Sequence, residues 1–225
     1  MPFEDAHAAI RSDLVRQGER VQSLLLSAVE AWFDLDEDKA NAAVLADDEI
    51  DRIDVEIERA SVPLLAMGET DHARIRSVLT VVKLNNELER IADCGVNIAE
   101  IVLHHRDDLD RAPDPAFRVM ANSVVGMTRD AVRSFADLNE DLAGQVLAFD
   151  DTVDRFRNEI LLSAEQKVAA SEMPVRYAFR LRSTVAQLER VADHSTNIAE
   201  QVIYLRTGKT VRHLPDGWTS PTDPG

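Results

Sequence analysis

Residues Leu88 to Glu100 return one hundred positions later, from Leu188 to Glu200, with nine of the thirteen positions identical. A match of that length at a fixed offset implies a duplicated unit, so the chain reads as two copies of whatever carries this stretch. In each copy the apolar residues recur at helical spacing: Leu84, Leu88, Ile91, Ile98 and Val102 in the first, Leu188, Val191, Ile198 and Val202 in the second. That is one buried stripe of a long helix. Glu89, Asp93, Asn97 and Glu100 share an arc of about 80°, roughly opposite that stripe. The arc is expected to face away from the core.

The flanks repeat at a slightly different offset. Ala28-Val29 through Asp34-Leu35-Asp36-Glu37-Asp38 lines up with Ala131-Val132 through Asp137-Leu138-Asn139-Glu140-Asp141, and Phe135 stands where Trp32 does. The spacing predicts a helix from about Glu4 to Asp34 and a second to about Met67, capped by Asp36 and loosened near its end by Pro63. Gly68 is a candidate terminator, and Asp71 a candidate cap for a third helix ending near His105. Residues 106–115 read as a linker, with Asp114-Pro115 as cap and first-turn proline of the fourth helix. A fifth helix is expected from about Glu140 to Ala170, and a sixth from near Pro174 to near Arg206. The expected organisation is all-α: tandem antiparallel three-helix bundles over residues 1–107 and 108–207, and an irregular tail over 208–225 that Trp218 would dock.

Composition restricts the function. With few glycines, few aromatics and much Ala, Leu, Val, Glu, Asp and Arg, the chain has the make-up of a soluble helical protein. A formal net charge of −16 argues against a nucleic-acid partner and favours cations or basic protein surfaces. No apolar run approaches the ~18–20 residues of a membrane span, and the N-terminal residues lack a secretory pattern. The single cysteine, Cys94, excludes an internal disulfide and fits a reducing compartment, hence a cytoplasmic location.

Each copy carries a second acidic pair on the preceding helix. Asp47/Asp51 joins Glu89/Asp93 in the first copy, and Asp150/Asp154 joins Glu189/Asp193 in the second. Spacing of four puts both acids of a pair on one helix face. Like charges so placed repel by a few tenths of a kcal/mol, a sign that a bound cation reverses. Two adjacent helices would then offer four carboxylates to one place, an oxygen-rich set suited to Mg²⁺, Mn²⁺ or iron. Asp54 and Glu58 extend the first stripe; Arg157 and Leu161 do not extend the second. His194 could bring a nitrogen ligand to the second group, but it reads first as a surface histidine pointing away from the carboxylate arc, with Cys94 in its place in the first copy.

The doubled Glu-Arg-Ile/Val-Ala-Asp…Asn-Ile-Ala-Glu, with the doubled three-helix plan, resembles the PhoU family over roughly residues 5–207. The resemblance implies a non-enzymatic negative regulator that links a phosphate ABC transporter to a sensor histidine kinase. It also implies a homodimer that binds iron, zinc or other metal clusters through the acidic pairs, here Asp47, Asp51, Glu89, Asp93, Asp150, Asp154, Glu189 and Asp193. Ala92 and Ala192 depart from the family's usual glycine, and Cys94-Gly95 also departs; neither removes a ligand. Two other readings stay open: a ferritin-like di-iron protein, for which Glu4/His7 and Glu69/His72 have the spacing, and a helical scaffold whose acidic faces are simply solvated. No phosphate-cradling glycine loop, catalytic triad or Cys/His zinc spacing is present, and no basic cluster marks a phosphate site.

Overall fold

The computed structural model describes residues 3–67 and 70–211. Among these residues there are six helices: α1 (Phe3–Asp34), α2 (Glu37–Ala66), α3 (His72–Leu109), α4 (Pro115–Ala136), α5 (Glu140–Ala169) and α6 (Val175–Thr207). Helices α1, α2 and α3 pack on one another, as do α4, α5 and α6. The two bundles join through α3 against α6 and α1 against α4. The expected Gly68 terminator, Glu69 and the Trp218 tail lie outside the described residues.

Local chemistry explains the boundaries. The Asp36 carboxylate accepts from the backbone N–H groups of Asp38 and Lys39, Asp71 from Ala73, and Asp114 from Ala116. Each satisfies donors that a helix N-terminus leaves orphaned. The α1–α2 and α4–α5 turns share a rarer feature. Leu35 and Leu138 both adopt positive φ, 53° and 51°, without being glycine. In each turn the following N–H reaches back five residues, Asp36 to the Ala31 carbonyl (3.1 Å) and Asn139 to the Ser134 carbonyl (2.8 Å). These bonds close the helix C-terminus around the left-handed residue and hold it there. A strained leucine at the same place in both copies is a backbone signature of the duplication.

The offset between copies changes along the chain for a visible reason. α2 and α5 begin 103 residues apart, as do α3 and α6, yet the repeated stretch is offset by 100. Leu88 stands sixteen residues after the start of α3, and Leu188 thirteen after the start of α6. The first copy therefore carries nearly one additional helical turn ahead of the shared segment.

All the stripe residues expected to be buried are buried, from Leu84 on α3 to Val202 on α6, and Ile10 and Leu14 of α1 join them in the core. An aromatic group closes one end of the seam: the Trp32 ring lies 4.6 Å from Phe117 and 6.3 Å from Tyr177, and Phe33 lies 5.3 Å from Phe117. α2 ends where expected, with Met67 as its C-cap, and one expected boundary, the end of α3, differs. Pro63 leaves α2 helical to Ala66, because only its own missing N–H and one carbonyl contact are at stake near the helix end. α3 does not end near His105; that residue departs from helical geometry (φ −140°, ψ 24°), but the chain resumes the helix to Leu109, which is buried.

Candidate metal centre

Two acidic clusters form, one per copy, each between the middle and last helices of its bundle. In the first, α2 supplies Asp47 and Asp51, and α3 supplies Glu89 and Asp93. Burial, then the Asp51, Asp93 and Asp48 carboxylates, push the Asp47 carboxyl up to about 6. Glu89 is raised by burial and by Asp93, Asp54 and Asp51, against a lowering from Arg90. The mutual effects run across the helices, so the two pairs share one electrostatic neighbourhood. Asp54 joins them, its own carboxyl raised by burial, Glu58 and Asp51 while Asn85 Nδ2 donates to it at 2.6 Å.

In the second cluster, α5 supplies Asp150 and Asp154, and α6 supplies Glu189 and Asp193. Burial, then Asp193, Asp154, Asp151 and Glu189, push Asp150 up to about 6. Asp193 is raised by burial and by Asp154, with His194 opposing. All eight residues singled out in the sequence therefore fall into these two groups, four to each.

The arc does face away from the core, with Asn97 and Glu100 exposed, but its glutamate is partly covered in both copies. Glu89 and Glu189 keep only 27% and 29% of their side-chain surface exposed. They lie along the grooves between helices, because the neighbouring helix covers the flank that a single-helix projection leaves open.

Cations of the protein itself reach into both groups. Arg90 Nε lies 3.3 Å from Glu89 Oε2, and its NH1 3.4 Å from Asp93 Oδ2, both along α3. Arg157 reaches from α5 to α6, its Nε 2.8 Å from Glu189 Oε2. Among the described residues, no three His, Cys, Asp or Glu side chains converge tightly enough to hold a metal ion as they stand. The all-oxygen donor set suits a hard cation in chemistry, while the side chains do not close a coordination shell.

His194 is not a surface residue. Its Nδ1 lies 2.8 Å from Glu87 Oε2 on α3, and the ring keeps 20% of its surface exposed. Asn197 Nδ2 donates to the same oxygen at 3.0 Å. Nothing local in sequence links residues 107 apart, so only the packing of α3 on α6 reveals the contact. One of the two histidines of the ferritin-like alternative is also committed elsewhere: His7 Nε2 lies 2.5 Å from Ser77 Oγ, and Glu4 pairs with Arg74 at 2.6 Å.

A family model described as the PhoU domain matches twice, over residues 14–102 and 117–202. The chain belongs to the PhoU family. It is 31% identical to the phosphate-specific transport system accessory protein PhoU homolog of Clostridium acetobutylicum over 215 residues, 93% of this chain and 96% of that one. It is 28% identical to PhoU homolog 1 of Thermotoga maritima over 222 residues, covering 98% of this chain and 96% of the relative. Crystal structures of PhoU from Pseudomonas aeruginosa and from Streptococcus pneumoniae both superpose with a TM-score of 0.85. Their identities are 27% and 21%, and they cover 92% and 93% of this chain, against 100% and 99% of their own. The doubled PhoU plan is the doubled bundle described above, and each copy of the domain contains one acidic cluster.

Proposed function

We propose that this protein is a negative regulator of phosphate uptake and phosphate signalling that acts by contact rather than by catalysis. Its partners on this reading are a phosphate ABC transporter and a sensor histidine kinase, and it works in the cytoplasm as a homodimer. The observation that carries the reading is the full-length match of both bundles to PhoU domains, with relatives named as phosphate transport accessory proteins. The absence of a helix long and apolar enough to cross a membrane, among the described residues, is compatible with a contact role at a transporter.

The metal part of the reading rests on the two carboxylate groups. Asp47, Asp51, Glu89 and Asp93 would hold a cation in the first copy, and Asp150, Asp154, Glu189 and Asp193 in the second. Oxygen ligands of this kind favour magnesium, manganese or iron over zinc, which takes nitrogen and sulfur more readily. A bound ion would supply charge neutralisation between neighbouring helices.

Deleting the gene in its host and following a phosphate-starvation reporter tests the regulatory reading. Starvation genes should be expressed in high phosphate without the protein, and a plasmid copy should silence them. A reporter that stays silent in the deletion strain would overturn the proposal.

A further inference from the structure

The two acidic clusters are built on one plan but are not electrostatically equal. At the position where the first copy has Asp54, the second has Arg157. Asp54 adds a fifth carboxylate beside Asp47, Asp51, Glu89 and Asp93, and it contributes to raising Glu89. Arg157 instead brings a guanidinium across the α5–α6 groove onto Glu189 at 2.8 Å, with NH1 donating to Asn158 Oδ1 at 3.2 Å.

A second difference accompanies the first. Asn85, 3% exposed, donates its Nδ2 to the Asp54 carboxylate and carbonyl, while its Oδ1 is buried without a partner. The equivalent position in the second copy is Val185, which has no polar atom to satisfy. The first copy thus holds one more carboxylate and an unmatched amide oxygen; the second holds a cation and an apolar side chain. Arg90 does not cancel the contrast. It lies on the same helix as its partners, its contacts are longer, and Arg190 stands at the same place in the second copy.

We propose that Arg157 is a built-in counter-ion of the second cluster, so that the first copy is the one that calls for an external cation. A fixed positive charge about 5 Å from a divalent ion opposes its binding by roughly 1–2 kcal/mol in a water-like dielectric, about a tenfold loss of affinity. The metal half of this inference rests on the cation-binding reading above. The counter-ion half does not, and the experiment separates them.

The first arm is melting of the full chain, treated with chelator, at low salt. Arg157→Met should lower the Tm by about 1–4 °C, the size expected for a partly exposed interhelical ion pair in a chain of this length. Arg157→Lys, which keeps the charge, should restore most of the loss, and high salt should shrink it. The second arm is Mn²⁺ titration by calorimetry, with the first cluster disabled by Asp47→Asn and Glu89→Gln. Adding Arg157→Met to that background should tighten Mn²⁺ binding about tenfold. A metal-free Tm that ignores Arg157→Met at every salt concentration overturns the counter-ion role. Mn²⁺ binding equal in the two clusters and unmoved by Arg157→Met overturns the asymmetry. If no variant binds Mn²⁺, the cation-binding reading fails, and the melting arm alone decides for or against Arg157.

Discussion

Glu87 Oε2 on α3 accepts hydrogen bonds from both His194 Nδ1 (2.8 Å) and Asn197 Nδ2 (3.0 Å) on α6, tying one repeat to the other. The pseudo-equivalent position opposite is weaker. Gln187 stands where Glu87 does, with Cys94 and Asn97 in place of His194 and Asn197, and Gln187 Oε1 is buried without a partner. Asn97 donates instead to the carbonyl of Asp93, within its own helix. The buried Glu87 link thus has no counterpart at Gln187; beyond Gln187 that half of the seam is held instead by Asp108 of α3, which accepts from Arg180 of α6 at 3.2 Å.

His194→Ala should cost about 1–3 kcal/mol, since it leaves a partly buried carboxylate with one donor fewer. Gln187→Met should be neutral or stabilising, because it replaces an unsatisfied buried acceptor with an apolar group of similar size. Urea denaturation of the two variants checks both. A cost for Gln187→Met equal to that for His194→Ala would contradict the contrast between Glu87 and Gln187.

The close approach of α1 to α3 depends on Gly95. A Cβ there would collide with Leu24 Cδ2 and lie 3.6 Å from Leu25 Cα. Leu24 is itself buried and has little room to withdraw. In the second copy the equivalent residue is Ser195, whose Oγ bonds the Val191 carbonyl (2.8 Å) and the Thr128 hydroxyl (3.1 Å) of α4. Gly95→Ala gains about 1 kcal/mol of helix propensity and loses about 1–3 kcal/mol to overpacking. The expected net is about 1 kcal/mol of destabilisation. In a Leu24→Ala background the same substitution should become favourable, a coupling that a double-mutant cycle measures.

Much of this fold was legible because its signals are local. Asp36, Asp71 and Asp114 cap helices through their own near neighbours, and each apolar stripe needs only the helical period to be seen. The eight acidic residues could be grouped because duplication doubled the evidence for each pair. What stayed hidden depends on which helix covers which. Arg157 visibly interrupts the acidic stripe in sequence, yet its reach to Glu189 follows only from the packing of α5 on α6. His194 looked exposed because a projection of α6 alone leaves out α3, where Glu87 waits. The continuation of α3 past His105 was also unreadable, since one non-helical residue, followed by charged ones, mimics a helix end.

Stability should depend on pH in the sense opposite to a salt-bridged acid. Asp47 and Asp150 titrate at about 6 in the folded chain, raised mainly by burial and then by neighbouring acids. An unfolded aspartate titrates near about 3.9. Between those values the folded state holds more protons, so stability rises as pH falls through 6 and levels off near 4. Asp114, lowered chiefly by its hydrogen bond to Lys167, acts the other way only below about 3.9. His7, lowered chiefly by burial, opposes the trend within the window. It is outweighed by Asp47 and Asp150 together with the raised Asp54, Glu89 and Asp193 carboxyls. The Tm of chelator-treated protein should therefore increase from pH 7 to pH 5, and Asp47→Asn with Asp150→Asn should flatten the profile. A wild-type Tm that is level or falling over that interval would contradict the assignment.

The same isosteric change should have different consequences in the two copies. Glu89→Gln with Asp93→Asn removes an i,i+4 repulsion and its share of the repulsion from α2, at the expense of two long contacts with exposed Arg90. In metal-free protein at low salt, the Tm should rise by about 1–2 °C. Glu189→Gln with Asp193→Asn removes a comparable repulsion but also strands the Arg157 guanidinium, so its Tm should stay level or fall. Mn²⁺ stabilises whatever binds it in the folded state by mass action. The first-copy variant should accordingly lose most of the Mn²⁺-dependent gain in Tm, and the second-copy variant little. If both variants shift the metal-free Tm alike and lose the Mn²⁺ gain equally, Asp54 and Arg157 do not distinguish the two clusters, and charge at this position has no bearing on cation binding.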